Sequence, residues 1–112
     1  MRGEKLVWLD DLRPKPDGYH VWIKDYRSFV EFVKNEGKHI PLTYISFDHD
    51  LGEGENGYDC AKFLVNWCID NDYLVPDYAI HSANPVGREN IKSIFESYRK
   101  IKEYGKETDV CN

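Results

Sequence analysis

The stretch YISFDHDLGEGENGYD, residues 44–59, runs from an apolar segment into two aspartates that flank a histidine, and then into glycines and further acid. Residues 42–48, LTYISFD, form the clearest predicted strand in the chain. A helix is predicted from Gly57, because apolar side chains recur at helical spacing after it. This apolar stripe consists of Cys60, Ala61, Leu64, Val65 and Cys68. A strand, a loop and an amphipathic helix in this order are typical of a parallel α/β sheet.

Three further strands are predicted around this unit. They are KLVWLDD (5–11), YHVWIK (19–24) and YAIHS (78–82). The first is an apolar run that ends in acid and passes into LRPKPDG, a loop rich in proline and glycine, as a buried strand does at its carboxyl end. No clear helix separates the first two strands.

Two further helices have recognisable ends. Residues 26–36 form an amphipathic helix that Asp25 caps and Gly37 terminates. Asn84 is placed to cap the last helix, and Pro85 takes its first helical position. The inward face of this last helix would consist of Ile91, Ile94, Phe95, Tyr98 and Ile101. The tail, residues 106–112, is compatible with an edge strand or with a frayed end.

The alternation of strands and helices predicts one α/β domain over residues 1–112. A chain of 112 residues has room for one sizeable core, and no repeat, low-complexity segment or linker divides it. We expect a three-layer domain with a mainly parallel sheet of four to five strands.

Composition limits the classes of partner. A net charge of −5 argues against an extended DNA-binding surface and against attachment to an acidic membrane. A nucleotide or an RNA end could still bind locally, because one small phosphate site needs no basic face. No signal-peptide pattern and no membrane-spanning apolar run is found, so we expect a cytoplasmic protein, in the host cytoplasm if a virus encodes it. Of the three cysteines, Cys60 and Cys68 are interpreted as small core residues. The sequence does not indicate the oligomeric state.

Residues with reactive side chains follow three of the predicted strands. In open parallel sheets, ligands bind beyond the carboxyl ends of the strands. The residues at these ends are Asp10, Asp11 and Arg13 after the first strand, Asp48, His49 and Asp50 after the third, and His81, Ser82 and Asn84 after the fourth. Their convergence at one edge of the sheet is the main sequence evidence for a site.

The aspartates at this edge predict a site for a divalent cation. Adjacent strands lie roughly 4.8 Å apart, so carboxylates at neighbouring strand ends repel each other unless a positive charge lies between them. Asp10, Asp11 and Asp48 are therefore predicted ligands of Mg²⁺ (or Mn²⁺), with Asp50 as a reserve ligand and a substrate contact. The alternative is that these aspartates only cap loops and helices.

The histidines and their neighbours predict a phosphate site. His49 and His81 could act together as general acid and base, with Asp48 beside them in the catalytic group. The predicted substrate contacts are Arg13, Asp50, Ser82, Asn84 and Gly87. Simpler roles stay open, because Arg13 could pair with Asp10 or Asp11 and His81 could bind a loop carbonyl. Trp8, Trp22 and Trp67 are interpreted as core or sheet-face residues.

Four motifs together resemble the cyclic-phosphate-processing receiver domains, a diverged branch of response-regulator receivers. The motifs are WLDDLRP, ISFDHDLG, the glycine-led helix with Trp67, and HSANPVGRENI, and they cover residues 5–95. The resemblance implies a receiver-like, flavodoxin-like fold in which Asp10, Asp11 and Asp48 bind Mg²⁺ and Ser82 takes the hydroxyl position. Ordinary receivers carry a lysine after a fifth strand, and no secure equivalent follows residue 95 here, which argues against aspartyl-phosphate signalling.

The functional hypothesis is a metal-assisted phosphodiesterase that processes a cyclic phosphate, either the 2′,3′-cyclic phosphate of an RNA end or a cyclic nucleotide. A variant would use the histidines without metal. Two non-catalytic alternatives remain: a receiver-like switch phosphorylated on Asp48, and a binding protein that sequesters a cyclic nucleotide. The base and linkage preference of the substrate is not determined by the sequence.

Overall fold

Four parallel strands form the sheet in the part of the chain that is described. The computed structural model describes residues 4–52 and 54–111, and the side chains of residues 4–52 and 54–100. The strands are β1 (Lys5–Leu9), β2 (Val21–Ile23), β3 (Thr43–Phe47) and β4 (Asp77–Ile80), in the order β2-β1-β3-β4. β3 pairs with the full length of β1 on one side and with β4 on the other. This all-parallel sheet confirms the predicted receiver-like α/β fold.

Three α-helices accompany the sheet: α1 (Tyr26–Glu36), α2 (Gly57–Asn71) and α3 (Pro85–Cys111). Asp25 caps α1 as predicted, since its carboxylate accepts a hydrogen bond of 2.8 Å from the Ser28 N–H. A 3₁₀ helix (Gly37–Leu42) connects α1 to β3. Among the helices described, none combines the length and the apolar character that a membrane crossing requires.

The carboxyl-terminal segment does not add a strand to the sheet. Residues 106–111, for which an edge strand or a frayed end was left open, continue helix α3. The predicted inward position of Ile101 lies outside the described side chains, as does the side chain of Cys111. No helix lies between β1 and β2, which agrees with the sequence reading of this connection.

The three helices lie against the same face of the sheet. Phe47 of β3 packs against Phe29 of α1 and against Phe95 of α3, with ring centroids 5.9 and 5.5 Å apart. Tyr78 of β4 also stacks on Phe95, at 4.2 Å. The three-layer domain that we expected would have helices on both faces of the sheet. The described residues form two layers instead.

The missing second helical layer has a topological cause. Crossovers between parallel strands are right-handed. The connections from β2 to β3 and from β3 to β4 run in the same direction across the sheet, so they place α1 and α2 on the same face. The step from β1 to β2 runs in the opposite direction, and a helix there would cover the other face. Residues 10–20 form a loop instead.

The core lies between the sheet and the helices. Its fully buried strand side chains alternate along β1 and β3, as strand geometry requires. They are Val7, Leu9, Ile45 and Phe47. Cys60 and Cys68 of α2 are also buried in the core, as predicted, and burial raises the pKa of both thiols. These cysteines therefore pack as small apolar residues.

Replacing Phe47 by alanine tests this packing. Phe47→Ala should lower the free energy of unfolding by about 3–5 kcal/mol, because the fully buried ring links α1 and α3 to the end of β3. Phe32→Ala is the matched control, since Phe32 is only partly buried against the core and should cost less. Urea denaturation followed by circular dichroism measures both. Equal losses in the two variants would contradict the role given to Phe47.

Candidate functional site

Three polar residues extend the sheet by one position beyond the strands. The N–H of Asp10 donates to the Ile23 carbonyl, that of Asp48 to the Leu9 carbonyl, and that of His81 to the Phe47 carbonyl, at 2.9–3.0 Å. The side chains of Asp10, Asp48 and His81 converge, with potential ligand atoms all within 4.8 Å of one another. We call these three residues the edge cluster. The structure thus brings together one predicted residue from each of three strand ends.

The carboxylate of Asp10 is held by hydrogen bonds on both oxygens. Oδ1 accepts from the N–H groups of Leu12 and Arg13, each at 2.8 Å, and Oδ2 lies 2.9 Å from Nε2 of His81. The residue is only 1% exposed. Burial opposes ionisation, but these donors and the charge of His81 outweigh it and lower the pKa of Asp10. Asp10 is therefore a preorganised, ionised carboxylate.

Asp48 is in the opposite electrostatic situation. Burial, followed by the negative charge of Asp10, raises its pKa. The N–H of His49, which donates to Asp48 Oδ1 at 2.8 Å, and the positive charges of His81 and Arg13 only partly compensate. Burial and the charge of Asp10 thus disfavour the ionised form of Asp48, and an added cation would favour it.

Both ring nitrogens and one face of the His81 ring have partners. Nδ1 shares a hydrogen bond of 2.7 Å with Ser46 Oγ, and Nε2 faces Asp10. The ring stacks on Trp8 with centroids 3.8 Å apart and an angle of 4° between the planes. Ser46 and Trp8 were not among the predicted site residues. Strand alternation was the available signal, because Trp8 and Ser46 precede Asp10 and Asp48 by two positions and share their side of the sheet.

His49 lies in a different setting from His81. Its ring packs directly on Gly87 in the first turn of α3, where an added Cβ would overlap the imidazole. Nδ1 is 3.1 Å from Oδ1 of the largely exposed Asp50, and Nε2 has no hydrogen-bonding partner among the described residues. His49 does not belong to the edge cluster. The two predicted catalytic histidines are therefore not equivalent.

The remaining predicted residues surround the edge cluster without joining it. Asp11 lies next to Gly52 in the loop after β3 and is not part of the edge cluster. The exposed Arg13 donates from its guanidinium to the His81 carbonyl at 3.3 Å. Among the described residues it forms no ion pair with Asp10 or Asp11, the alternative left open by the sequence.

The segment after β4 forms a tight turn into α3. Asn84 caps this helix as predicted, since its side-chain oxygen accepts from the Gly87 N–H at 3.1 Å. Ser82, which is 3% exposed, accepts from the Asn84 N–H at 3.1 Å. In this arrangement Ser82 and Asn84 shape the turn, and Gly87 makes room for His49.

Comparison with known proteins gives one family. A family model described as cyclic-phosphate processing receiver domain matches residues 5–97 of the 112-residue chain. The matched range includes all four strands and the edge cluster. Neither the curated proteins nor the solved structures yield a match.

The two carboxylates of the edge cluster should respond to substitution in opposite ways. The comparison is made at neutral pH with a chelator present, and it measures the free energy of unfolding. Asp10→Asn should destabilise by about 1.5–3 kcal/mol, because it removes hydrogen bonds to a charged group. Asp48→Asn should stabilise, because it removes a partly buried charge beside Asp10. Urea denaturation measures both variants. Destabilisation by Asp48→Asn equal to that by Asp10→Asn would contradict this account.

The pH dependence of the same two groups follows from the direction of each shift. The lowered pKa of Asp10 stabilises the fold above the unfolded-state pKa, and this contribution is lost as the pH falls through the folded-state value. The raised pKa of Asp48 has the opposite effect on stability. Its unfavourable contribution grows as the pH rises from the unfolded-state pKa through the higher folded-state pKa. The gain in free energy of unfolding that Asp48→Asn has over wild type should therefore disappear in acid. Unfolding curves at several pH values measure this.

The contact between Gly87 and His49 can be tested with a double-mutant cycle. Gly87→Ala should destabilise the protein, because the new methyl group overlaps the His49 ring. In a His49→Ala background the same change should be neutral or stabilising by about 0.5–1 kcal/mol, since alanine favours a helix over glycine. Thermal unfolding measures the four proteins. An equal cost of Gly87→Ala in both backgrounds would show that the ring is not the obstacle.

Proposed function

The chain belongs to the cyclic-phosphate processing receiver domain family, and from this premise we propose that it is a metal-assisted phosphodiesterase. The proposed substrate is a cyclic phosphate, either the 2′,3′-cyclic phosphate of an RNA end or a cyclic nucleotide, and the proposed setting is the cytoplasm. The observation that carries the proposal is the edge cluster, in which burial and then the charge of Asp10 raise the pKa of Asp48. Such a pair is suited to a cation and a phosphate.

The donor set of the edge cluster fits a divalent cation. Asp10 and Asp48 offer carboxylate oxygens, the ligands that Mg²⁺ and Mn²⁺ prefer, and Asp10 is already fixed in orientation. Asp11, predicted as a third ligand, becomes a reserve ligand in this proposal, because it does not belong to the edge cluster. When bound, the cation would supply Lewis-acid neutralisation of the phosphoryl oxygens. The remaining tasks fall to side chains of this chain.

Proton transfer is assigned to His49 in preference to His81. Its Nε2 has no protein partner among the described residues, whereas both ring nitrogens of His81 do. A positioned imidazole can act as general base toward water or as general acid toward the leaving oxygen. Gly87 fixes this ring by leaving room for it at the start of α3. In the predicted pair of histidines, His49 is thus the one available to substrate.

The phosphate would be oriented by Arg13 and by the start of α3. The Arg13 guanidinium is exposed and contacts the His81 carbonyl, so its remaining N–H groups can grip phosphate oxygens. The first turn of α3 presents the positive end of the helix dipole. Asp50 is largely exposed and holds the Nδ1 side of His49. Ser82 and Asn84 support this region through the turn that they form.

A binding protein that sequesters a cyclic nucleotide is the second candidate. One observation favours it: both nitrogens of His81 are engaged, which leaves one histidine where the catalytic hypothesis had two. The edge cluster and the residues around it would then hold the ligand without turnover. The phospho-switch alternative gains no comparable support, because β4 is followed by α3 and no fifth strand is found in the described residues.

Incubation with a panel of 2′,3′- and 3′,5′-cyclic nucleotides, with Mg²⁺, with Mn²⁺ and with chelator, tests the proposal. We expect ring opening of at least one substrate, detected by chromatography, and its loss in chelator. His49→Ala should lower the rate by about 10²–10⁴-fold, as for removal of a general acid or base. His39→Ala is the matched control, since this imidazole is exposed in the 3₁₀ helix.

Three outcomes separate the hypotheses. Turnover that persists in chelator would support the metal-free variant. Tight binding with the ligand recovered unchanged after denaturation would identify a sequestering protein. Neither binding nor turnover of any cyclic phosphate by folded, cation-supplied protein would contradict both.

A further inference from the structure

We propose that Ser46 and Trp8 are positioning residues, which fix the His81 ring so that its Nε2–H holds the Asp10 carboxylate in the orientation that binds a cation. The part of this inference that concerns the cation rests on the proposed function. The positioning itself rests on the geometry of four residues and can be tested without substrate. It gives His81 a supporting role in place of proton transfer.

A continuous chain of hydrogen bonds runs from β3 to the end of β1. Ser46 Oγ lies 2.7 Å from His81 Nδ1, and His81 Nε2 lies 2.9 Å from Asp10 Oδ2. Two contacts at opposite ends of an imidazole fix its rotation within the ring plane. The parallel stack on Trp8, at 3.8 Å and 4°, fixes the plane itself. The orientation of His81 is therefore set by three side chains.

Trp8 is in turn held by two contacts. Its indole N–H donates to the Arg13 carbonyl at 2.9 Å, and its ring meets Tyr19 edge-on at 5.3 Å. Trp8 also lies directly opposite Ser46 in the register between β1 and β3. The platform under His81 is thus built into the centre of the sheet, which makes it a rigid support.

The contacts of Asp10 assign the hydrogen to Nε2. Oδ1 of Asp10 accepts two backbone hydrogen bonds, and Oδ2 lies 2.9 Å from Nε2, so the carboxylate serves as the acceptor and His81 as the donor. An ionised carboxylate has about four lone-pair sites. Three are used by Leu12, Arg13 and His81, which leaves one on Oδ2. The position of the imidazole therefore controls where the remaining acceptor site of Asp10 points.

The order serine, histidine, aspartate also occurs in nucleophilic catalysis, but the burial of Ser46 argues against that role. A nucleophile must reach the substrate, and Ser46 is 3% exposed with its hydroxyl directed at His81. Asp10 is 1% exposed. A network of this kind, with Ser46 and Asp10 buried, holds its groups in one arrangement, and loss of one member leaves an unpaired polar atom.

The test compares hydroxyl removal at two ends of the same strand. Ser46→Ala should weaken Mn²⁺ affinity by about 10–100-fold, the usual effect of removing an outer-shell partner. It should also broaden or remove the His81 Nε2–H resonance in ¹⁵N-edited NMR spectra. Ser46→Thr keeps the hydroxyl, so it should retain both the Mn²⁺ affinity and the His81 Nε2–H resonance of the wild type. Thr43→Val is the control, because the buried Thr43 donates to the Ile40 carbonyl at the amino end of β3, away from the site.

The inference is overturned if Ser46→Ala leaves the Nε2–H resonance unchanged. It is also overturned if Thr43→Val reproduces the effects of Ser46→Ala, since both would then reflect general loss of stability. If wild-type protein binds Mn²⁺ and Ser46→Ala binds it equally well, the link to the cation fails while the proposed function stands. If the wild type binds no Mn²⁺, the cation of the proposed function fails, and the resonance alone decides whether Ser46 positions His81.

Discussion

Parallel pairing of β1 with β3 forces two carboxylates into adjacent positions at one edge of the sheet. Asp10 and Asp48 each continue a strand by one residue, and their N–H groups are tied into the sheet. Neither backbone position can move away without breaking this extension. The surroundings therefore treat them unequally: backbone donors and His81 stabilise the charge of Asp10, while Asp48 is left with a raised pKa. This imbalance is the reason for proposing a cation site at this edge.

The absence of a helix between β1 and β2 determines which face of the sheet bears the site. The helices bury Val7, Leu9 and Phe47 on their side. The alternate positions, Trp8 and Ser46, lie on the other side and continue into Asp10 and Asp48. Because no helix covers this face in the described chain, the indole of Trp8 supports His81 directly. An ordinary apolar sheet position has thereby become part of the candidate site.

The strand-end residues were predictable because they depend on local pattern. An apolar run that ends in aspartate marks the end of a buried strand, and parallel topology brings such ends together, so Asp10, Asp48 and His81 could be grouped from the sequence. The caps Asp25 and Asn84 were predictable for the same reason. Gly87 was predicted as a substrate contact, and the contact with the ring of His49 was not foreseen. Ring placement of this kind depends on how α3 packs, which local pattern does not encode.

The sequence by itself determined the parallel α/β class, the order of its elements and the identity of the residues at each strand end. These follow from hydrophobic periodicity and capping, which act over a few neighbouring residues. Only the tertiary structure decided that His81 is bound at both nitrogens while His49 keeps one free. It also decided that Asp11 stays outside the edge cluster and that the described helices share one core on one face of the sheet. Hydrogen bonds between residues 35 and 71 positions apart along the chain fix the first of these arrangements, and no short stretch of sequence contains both partners.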